Sequence, residues 1–352
     1  MSLDTSMVEA ALSSSTALSS ERYEIRIGFD MGSGSTKVRG VIFDTYKGEI
    51  EHELGRMNVG IGYQKDISDS NDGQTLTDEM QIYALGKLLG IVNVYKEYGI
   101  DTIKCAGIAT AWARNANNSD EYLGLLENFG IYIKTISQKE EGEIGYRVAE
   151  HHFANSNDNG DLVVLDIGGG SFQLVHDEGY DLSVYNGPYG SSNFGKEVRD
   201  YVGNHEEFFS YDEVEVAREY ASQNVNFDVV GGEDRVVSGI GQFLNLGIKG
   251  LVGKDYVELS DIQSLIDEFS GMTINEANSR YPSIGKDFMY PEQTNLLLLE
   301  AIMKSEGIDK INFVDAKSVD YVINETSFWE NAEHFNYEAF SELVSMTQVD
   351  AA

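Results

Sequence analysis

Residues 162–174, LVVLDIGGGSFQL, limit what this chain can become more than any other stretch. The apolar run Leu162–Leu165 reads as a buried strand, and Asp166 ends it. Gly168, Gly169 and Gly170 then strip the side chains from a turn, Ser171 follows, and alternation resumes from Phe172. A strand, a carboxylate, a bare turn and a second strand make a hairpin whose tip can meet a ligand with N–H groups alone. Such backbone forms an anion-binding concavity, although glycine turns also close ordinary hairpins. A second copy of the device lies earlier, in IRIGFDMGSGSTKVRGVIFD. Ile25, Ile27 and Phe29 lead to Asp30, then come Gly32, Ser33, Gly34, Ser35 and Thr36, and Val38, Val41 and Phe43 resume the strand pattern. Two copies predict a duplicated architecture in which each half supplies one phosphate-binding turn.

The pair of motifs resembles the two phosphate loops of the actin/sugar-kinase/Hsp70 superfamily. DIGGGS in particular resembles the exopolyphosphatase/guanosine pentaphosphate phosphatase family (Ppx/GppA). Two further motifs carry the resemblance. After the strand predicted at 102–110, Thr110, Ala113, Arg114 and Ala116 match the family's Thr-Ser-Ala-Leu-Arg-Glu-Ala-like run, with Trp112 where the family has a smaller residue. After the strand at 131–137, ISQKEEG matches Ile-Ser-Gly-x-Glu-Glu-Ala/Gly, with Gln138 in place of glycine. The likeness spans roughly residues 24–325 and thins beyond about residue 235. There RVVSGIG is poorer in glycine than the family's turn, and Ser318–Tyr321 stand where the family has Leu-Arg-Glu-Gly. No His-Asp motif of an added phosphohydrolase domain occurs.

The resemblance implies an α/β fold of two ribonuclease-H-like (actin-like ATPase) domains with the active-site cleft between them. The expected division is a disordered extension at 1–21, domain I at 22–137 and domain II at 138–327. A terminal helix at 328–348 would pack back on domain I. Residues 66–74 read as a polar loop, and a long helix with Leu85, Leu88, Leu89, Val92 and Tyr95 inward follows. Ser260 reads as a helix cap, and Pro291 as a first-turn residue of a helix from Met289 to Ser305.

Composition narrows the partners. A formal charge of −34 on 352 residues repels polyanions, and basic clusters are absent, so nucleic acid is not an expected ligand. The charge fits either a solvated acidic surface suited to salt or cold, or a site that relies on divalent cations. No apolar run approaches 18 residues, so no membrane span is expected. The single cysteine, Cys105, cannot form an intrachain disulfide, which suits a reducing cytoplasm.

The resemblance assigns roles. Gly32, Ser33, Gly34, Ser35, Arg114, Gly168, Gly169, Gly170 and Ser171 would bind phosphate. Asp30 and Asp166 would hold Mg²⁺, and Glu141, with Asp166, would be catalytic, Glu141 activating water. Arg114 could equally cap a helix on the surface, and acids in a first helical turn are ordinary dipole partners. The implied reaction is release of orthophosphate from the end of polyphosphate or from guanosine pentaphosphate, by a possible homodimer. An ATP-using relative (a sugar kinase or an ATPase, with Lys37 after the Ser-Thr turn) and a non-catalytic phosphate sensor stay open.

Overall fold

The computed structural model describes residues 22–96, 100, 102–153, 160–205, 208–227, 235–282 and 286–342, so the expected extension at 1–21 lies outside it. The chain divides into two compact units, one running to Ser137 and resuming at Ser318, the other Gln138–Lys317.

In the first unit, β1 (Tyr23–Met31), β2 (Ser35–Asp44) and β3 (Glu49–Gly60) form an antiparallel meander. β4 (Ile103–Ala109) and β5 (Ile131–Thr135) add in parallel to give the order β3-β2-β1-β4-β5. Helices α1 (Tyr63–Asp69), α2 (Asp78–Lys96), α3 (Ala111–Asn115) and α4 (Ser119–Asn128) complete the run to Ser137. The five apolar residues read as the inner face of α2 are all buried. A loop was expected at 66–74. Its first part is instead the end of α1, because Tyr63 and Ile67, one turn apart, both enter the core.

In the second unit, α5 (Gln138–Phe153) precedes β6 (Asp161–Ile167), β7 (Phe172–Asp177) and β8 (Leu182–Gly187), again an antiparallel meander. Next come α6 (Ser191–Val202), α7 (Tyr211–Asn224) and β9 (Arg235–Ile240), which lies parallel to β6. A π-helix at Phe243–Ile248 runs into α8 (Lys249–Val252). β10 (Tyr256–Glu258), α9 (Leu259–Phe269), α10 (Ile274–Arg280), α11 (Lys286–Glu306) and β11 (Lys310–Phe313) follow. The sheet order is β10-β11-β9-β6-β7-β8. Without the edge strand β10, this is the order and strand sense of the first sheet, so the repeated motif sits at the same topological point in both.

Three local expectations change. Glu258, not Ser260, is the N-cap of α9. Helix α11 starts at Lys286, which makes Pro291 its sixth residue rather than a first-turn one. Residues 318–327, expected in the second domain, belong with the first unit. There α12 (Ser318–Asn324) lies on β1, where a Cβ at Gly28 would be 3.0 Å from Ile323 Cδ1. The continuous helix expected at 328–348 is not formed over its described part. α13 (Thr326–Asn331) ends, His334 makes a bridge to Lys104, and a helix resumes at 337. The cause is packing on β1, which is buried on both faces. The Arg26 guanidinium is clasped by Glu24 at 2.7 Å and stacks on Phe43 and Trp329 at 3.4 and 4.9 Å from the ring centres. Trp329 and Phe335 are both buried, and a straight helix would not serve both the stack on Arg26 and the bridge at His334.

Candidate active site

Each motif closes with the same four-residue turn. The Gly32 N–H donates to the Ser35 carbonyl at 3.0 Å, and the Gly168 N–H donates to the Ser171 carbonyl at 2.9 Å. In each, the carbonyl of the second turn residue is held by the first turn of a helix that follows the third strand. The Gln64 N–H of α1 donates to Ser33 at 3.0 Å, and the Ser192 N–H of α6 donates to Gly169 at 2.8 Å.

The second turn is held further. The Ser191 N–H donates to the Gly168 carbonyl at 2.9 Å, and Asn193 Nδ2 donates to the Gly170 carbonyl at 3.0 Å. Asn193 Oδ1 in turn accepts the Gly190 N–H at 2.7 Å. All three glycine carbonyls are therefore turned toward the start of α6. Among the described residues, none accepts a hydrogen bond from the N–H groups of Gly169, Gly170 or Ser171, and this turn is solvent-accessible. Donors fixed in this way, with their carbonyls drawn to the other side, are of the kind that suits an anion.

The carboxylates differ in setting. Asp30 is opposite Lys37 across the β1–β2 hairpin, and Lys37 Nζ lies 2.9 Å from Asp30 Oδ2. Asp166 occupies the equivalent register opposite Gln173, a neutral amide whose Nε2 donates to Ser171 Oγ at 3.2 Å. Asp30 is thus paired with a cation across its hairpin. Asp166 lies against two glycines. A Cβ on Gly241, whose φ is +83°, would be 2.5 Å from Asp166 Oδ1, and one on Gly145 of α5 would be 4.0 Å from Oδ2. Any side chain at Gly241 would displace the carboxylate. Among the described residues no group of three or more His, Cys, Asp or Glu side chains gathers as a metal cage. One carboxylate suits a magnesium ion that arrives with the phosphates and keeps most of its waters.

Glu141 is the fourth residue of α5 and is half-buried. It lies one turn before Gly145, on the helix stripe that reaches Asp166. Glu143, by contrast, is paired with Lys139 at 3.3 Å, one turn earlier on α5. Gly142 brings α5 down onto the sheet, since a Cβ there would be 2.9 Å from Val184 Cγ1.

In the first unit, Arg114 stands at the end of the short helix after β4. One guanidinium N–H donates to the Ile136 carbonyl at 2.9 Å, which fixes the fork. Trp112, two residues earlier, is fully buried. Its indole N–H donates to the Met31 carbonyl at 2.8 Å, and its ring stacks on Tyr63 with centroids 4.3 Å apart. The large residue in place of the family's small one therefore braces the end of β1 and the start of α1, the two anchors of the first turn.

Sequence reasoning read Lys37 only as a mark of ATP-using relatives and did not foresee the roles of Ser191, Ser192, Asn193 and Gly241. Glycines and serines at and just beyond the end of each third strand (Gly60 and Gly62; Gly187, Gly190, Ser191 and Ser192) were the available signal.

A search of curated proteins finds no match. The model of the Ppx/GppA phosphatase family matches residues 75–283, more than half of the chain. Solved structures match over nearly their whole length. The Ppx/GppA enzyme of Aquifex aeolicus is 16% identical with a TM-score of 0.66, covering 86% of this chain and 99% of that one. An exopolyphosphatase-like protein gives 17%, 0.67, 87% and 98%. An exopolyphosphatase from Cytophaga hutchinsonii gives 16%, 0.63, 86% and 98%. At these identities the likeness speaks for the fold, the actin-like α/β architecture of two domains. With the family match over its central part, the chain belongs to the Ppx/GppA phosphatase family.

Proposed function

We propose that this protein hydrolyses phosphoanhydrides, releasing orthophosphate from the end of inorganic polyphosphate or from guanosine pentaphosphate. The carrying observation is the 168–171 turn, with its glycine carbonyls tied to the start of α6 and three N–H donors that no described residue accepts. Those donors hold equatorial phosphate oxygens, where charge accumulates in phosphoryl transfer. Glu141 takes the proton of a water as its oxygen attacks the terminal phosphorus, and the bond to the bridging oxygen breaks, leaving the shortened phosphate chain with the electron pair. Carboxylate beside phosphate is unfavourable for binding alone, so Glu141 favours catalysis over sensing. Magnesium, when bound, would neutralise phosphate charge, and Asp166 is the residue that would hold it. Arg114, its fork set by the Ile136 carbonyl, and the 32–35 turn are the first unit's phosphate-binding groups.

The test is Glu141→Gln. General-base contributions are typically 10²–10⁴-fold, so turnover should fall by about that factor, with substrate binding unchanged or tighter. Glu143→Gln, which removes one of the two carboxylates beside Lys139, should cost a few-fold at most. Near wild-type turnover in Glu141→Gln would remove the assignment. A large loss on substituting Glu140 instead would move the base by one residue.

A further inference from the structure

The chain's cations are almost all spoken for. Among the described residues, sixteen of its 25 Lys and Arg side chains lie within 4.0 Å of a carboxylate. Lys87, Lys96 and Lys310 rest over tyrosine rings, Lys104 donates to the Trp329 carbonyl, and Arg199 is buried over Phe209. Lys134 and Arg235 also have partners. The carboxylates outnumber these cations, 59 to 25.

The 168–171 turn grips with main-chain N–H groups, and the lysines that flank it in sequence are engaged. Lys139 lies between Glu143 and Asp181, and Lys196 is 2.8 Å from Asp200. Binding a long polyanion depends on a row of cations that replaces its counterions phosphate by phosphate. Here the surface instead presents fixed negative charge, while the grip itself is local.

Given the phosphoanhydride hydrolase reading above, on which this rests, we infer that the substrate is compact: a run of a few phosphates, free or carried on a nucleoside, taken with its divalent counterion. Long polyphosphate is a poor substrate. Its many further phosphates lie beyond the local grip and are repelled by a chain of net charge −34. Electrostatic effects of this kind change association rates by about 10–10³-fold and are screened by salt.

The experiment is phosphate release by the full chain, with Mg²⁺, from tripolyphosphate, guanosine pentaphosphate and polyphosphate of several hundred units, at ~0.02 and ~0.5 M salt. We expect kcat/KM per chain end at least tenfold higher on one or both of the compact substrates at low salt, and a narrower gap at high salt. The first two arms decide between a free and a nucleoside-borne phosphate run. Equal or faster release from long chains at low salt would overturn the inference and leave the hydrolase reading standing. No release from any of the three would overturn both.

Discussion

Gly190 gives the most direct test of how the second turn is held. Its backbone, at φ −126° and ψ −176°, is ordinary extended chain, so alanine is conformationally acceptable there. Space is the obstacle. An added Cβ would lie 2.4 Å from the Gly168 carbonyl oxygen and 2.5 Å from Gly169 C and Gly170 N. All three are main-chain atoms of the turn, with no rotamer to escape into. An ordinary carbon contact needs ~3.5 Å, so in Gly190→Ala the turn must retreat by about 1 Å. That shift would loosen the hydrogen bonds from Ser191 and Ser192 and displace the N–H groups of residues 169–171. Overpacking of this kind typically costs about 1–3 kcal/mol, which a domain of this size survives. Misplacement of a reacting group by ~1 Å can cost about 10²-fold, so kcat/KM should fall by about that much. Steady-state phosphate release measures the loss, and circular dichroism with thermal melting shows that the variant is folded. A folded variant with wild-type kcat/KM would refute the reasoning, because the turn would then not need its position against Gly190.

Glu292 of α11 carries a pH prediction. It is buried with its carboxyl over Gly247 of the π-helix, and burial pushes its pKa from 4.5 up to about 7. Among the described residues, neither its Oε2 nor the Asn295 Oδ1, both buried, has a hydrogen-bond partner. The folded state therefore keeps a proton that the unfolded chain releases. Stability is full below about pH 4.5, declines as pH rises toward 7, and stays reduced above it, by about 3 kcal/mol in total. Glu292→Gln should flatten this decline, raising stability at pH 8 with little change at pH 5. Chemical denaturation at the two pH values measures it, and an equal effect at both would show that Glu292 is not held protonated. The charge of −34 predicts that stability and apparent affinity for phosphate compounds rise from zero to ~0.15 M salt as repulsion is screened. A flat or falling response of both over that range would count against it. Trp112→Leu should lower activity with little change in secondary structure, because it removes the hydrogen bond to Met31 and the stack on Tyr63. Unchanged activity in a folded variant would deny that this ring braces the first turn.

The sequence by itself determined the local chemistry. A strand, an aspartate and a turn of small residues are contiguous, and their geometry follows from residues that lack or shorten side chains. The two turns close with the same hydrogen bond because each has a glycine at its first position and a compact backbone up to a serine. Each copy of the duplicated motif and the buried face of α2 were legible for the same reason: each is a pattern within about twenty residues. Long-range packing settled the rest. The Gly169 carbonyl is held by Ser192 and the Ser33 carbonyl by Gln64, partners whose sequence positions give no hint of the contact. Asp30 meets Lys37 while Asp166 meets Gln173 because hairpin register, not composition, sets what faces a carboxylate. Gly241 fits against Asp166 only because β9 lies beside β6. The last segment joins the first unit, and its helix breaks, because both faces of β1 must be covered and Arg26 has to be stacked and paired there. A local pattern can specify a turn, but which carbonyl is tied down, and hence which N–H is left for a ligand, depends on the distant helix that docks against it.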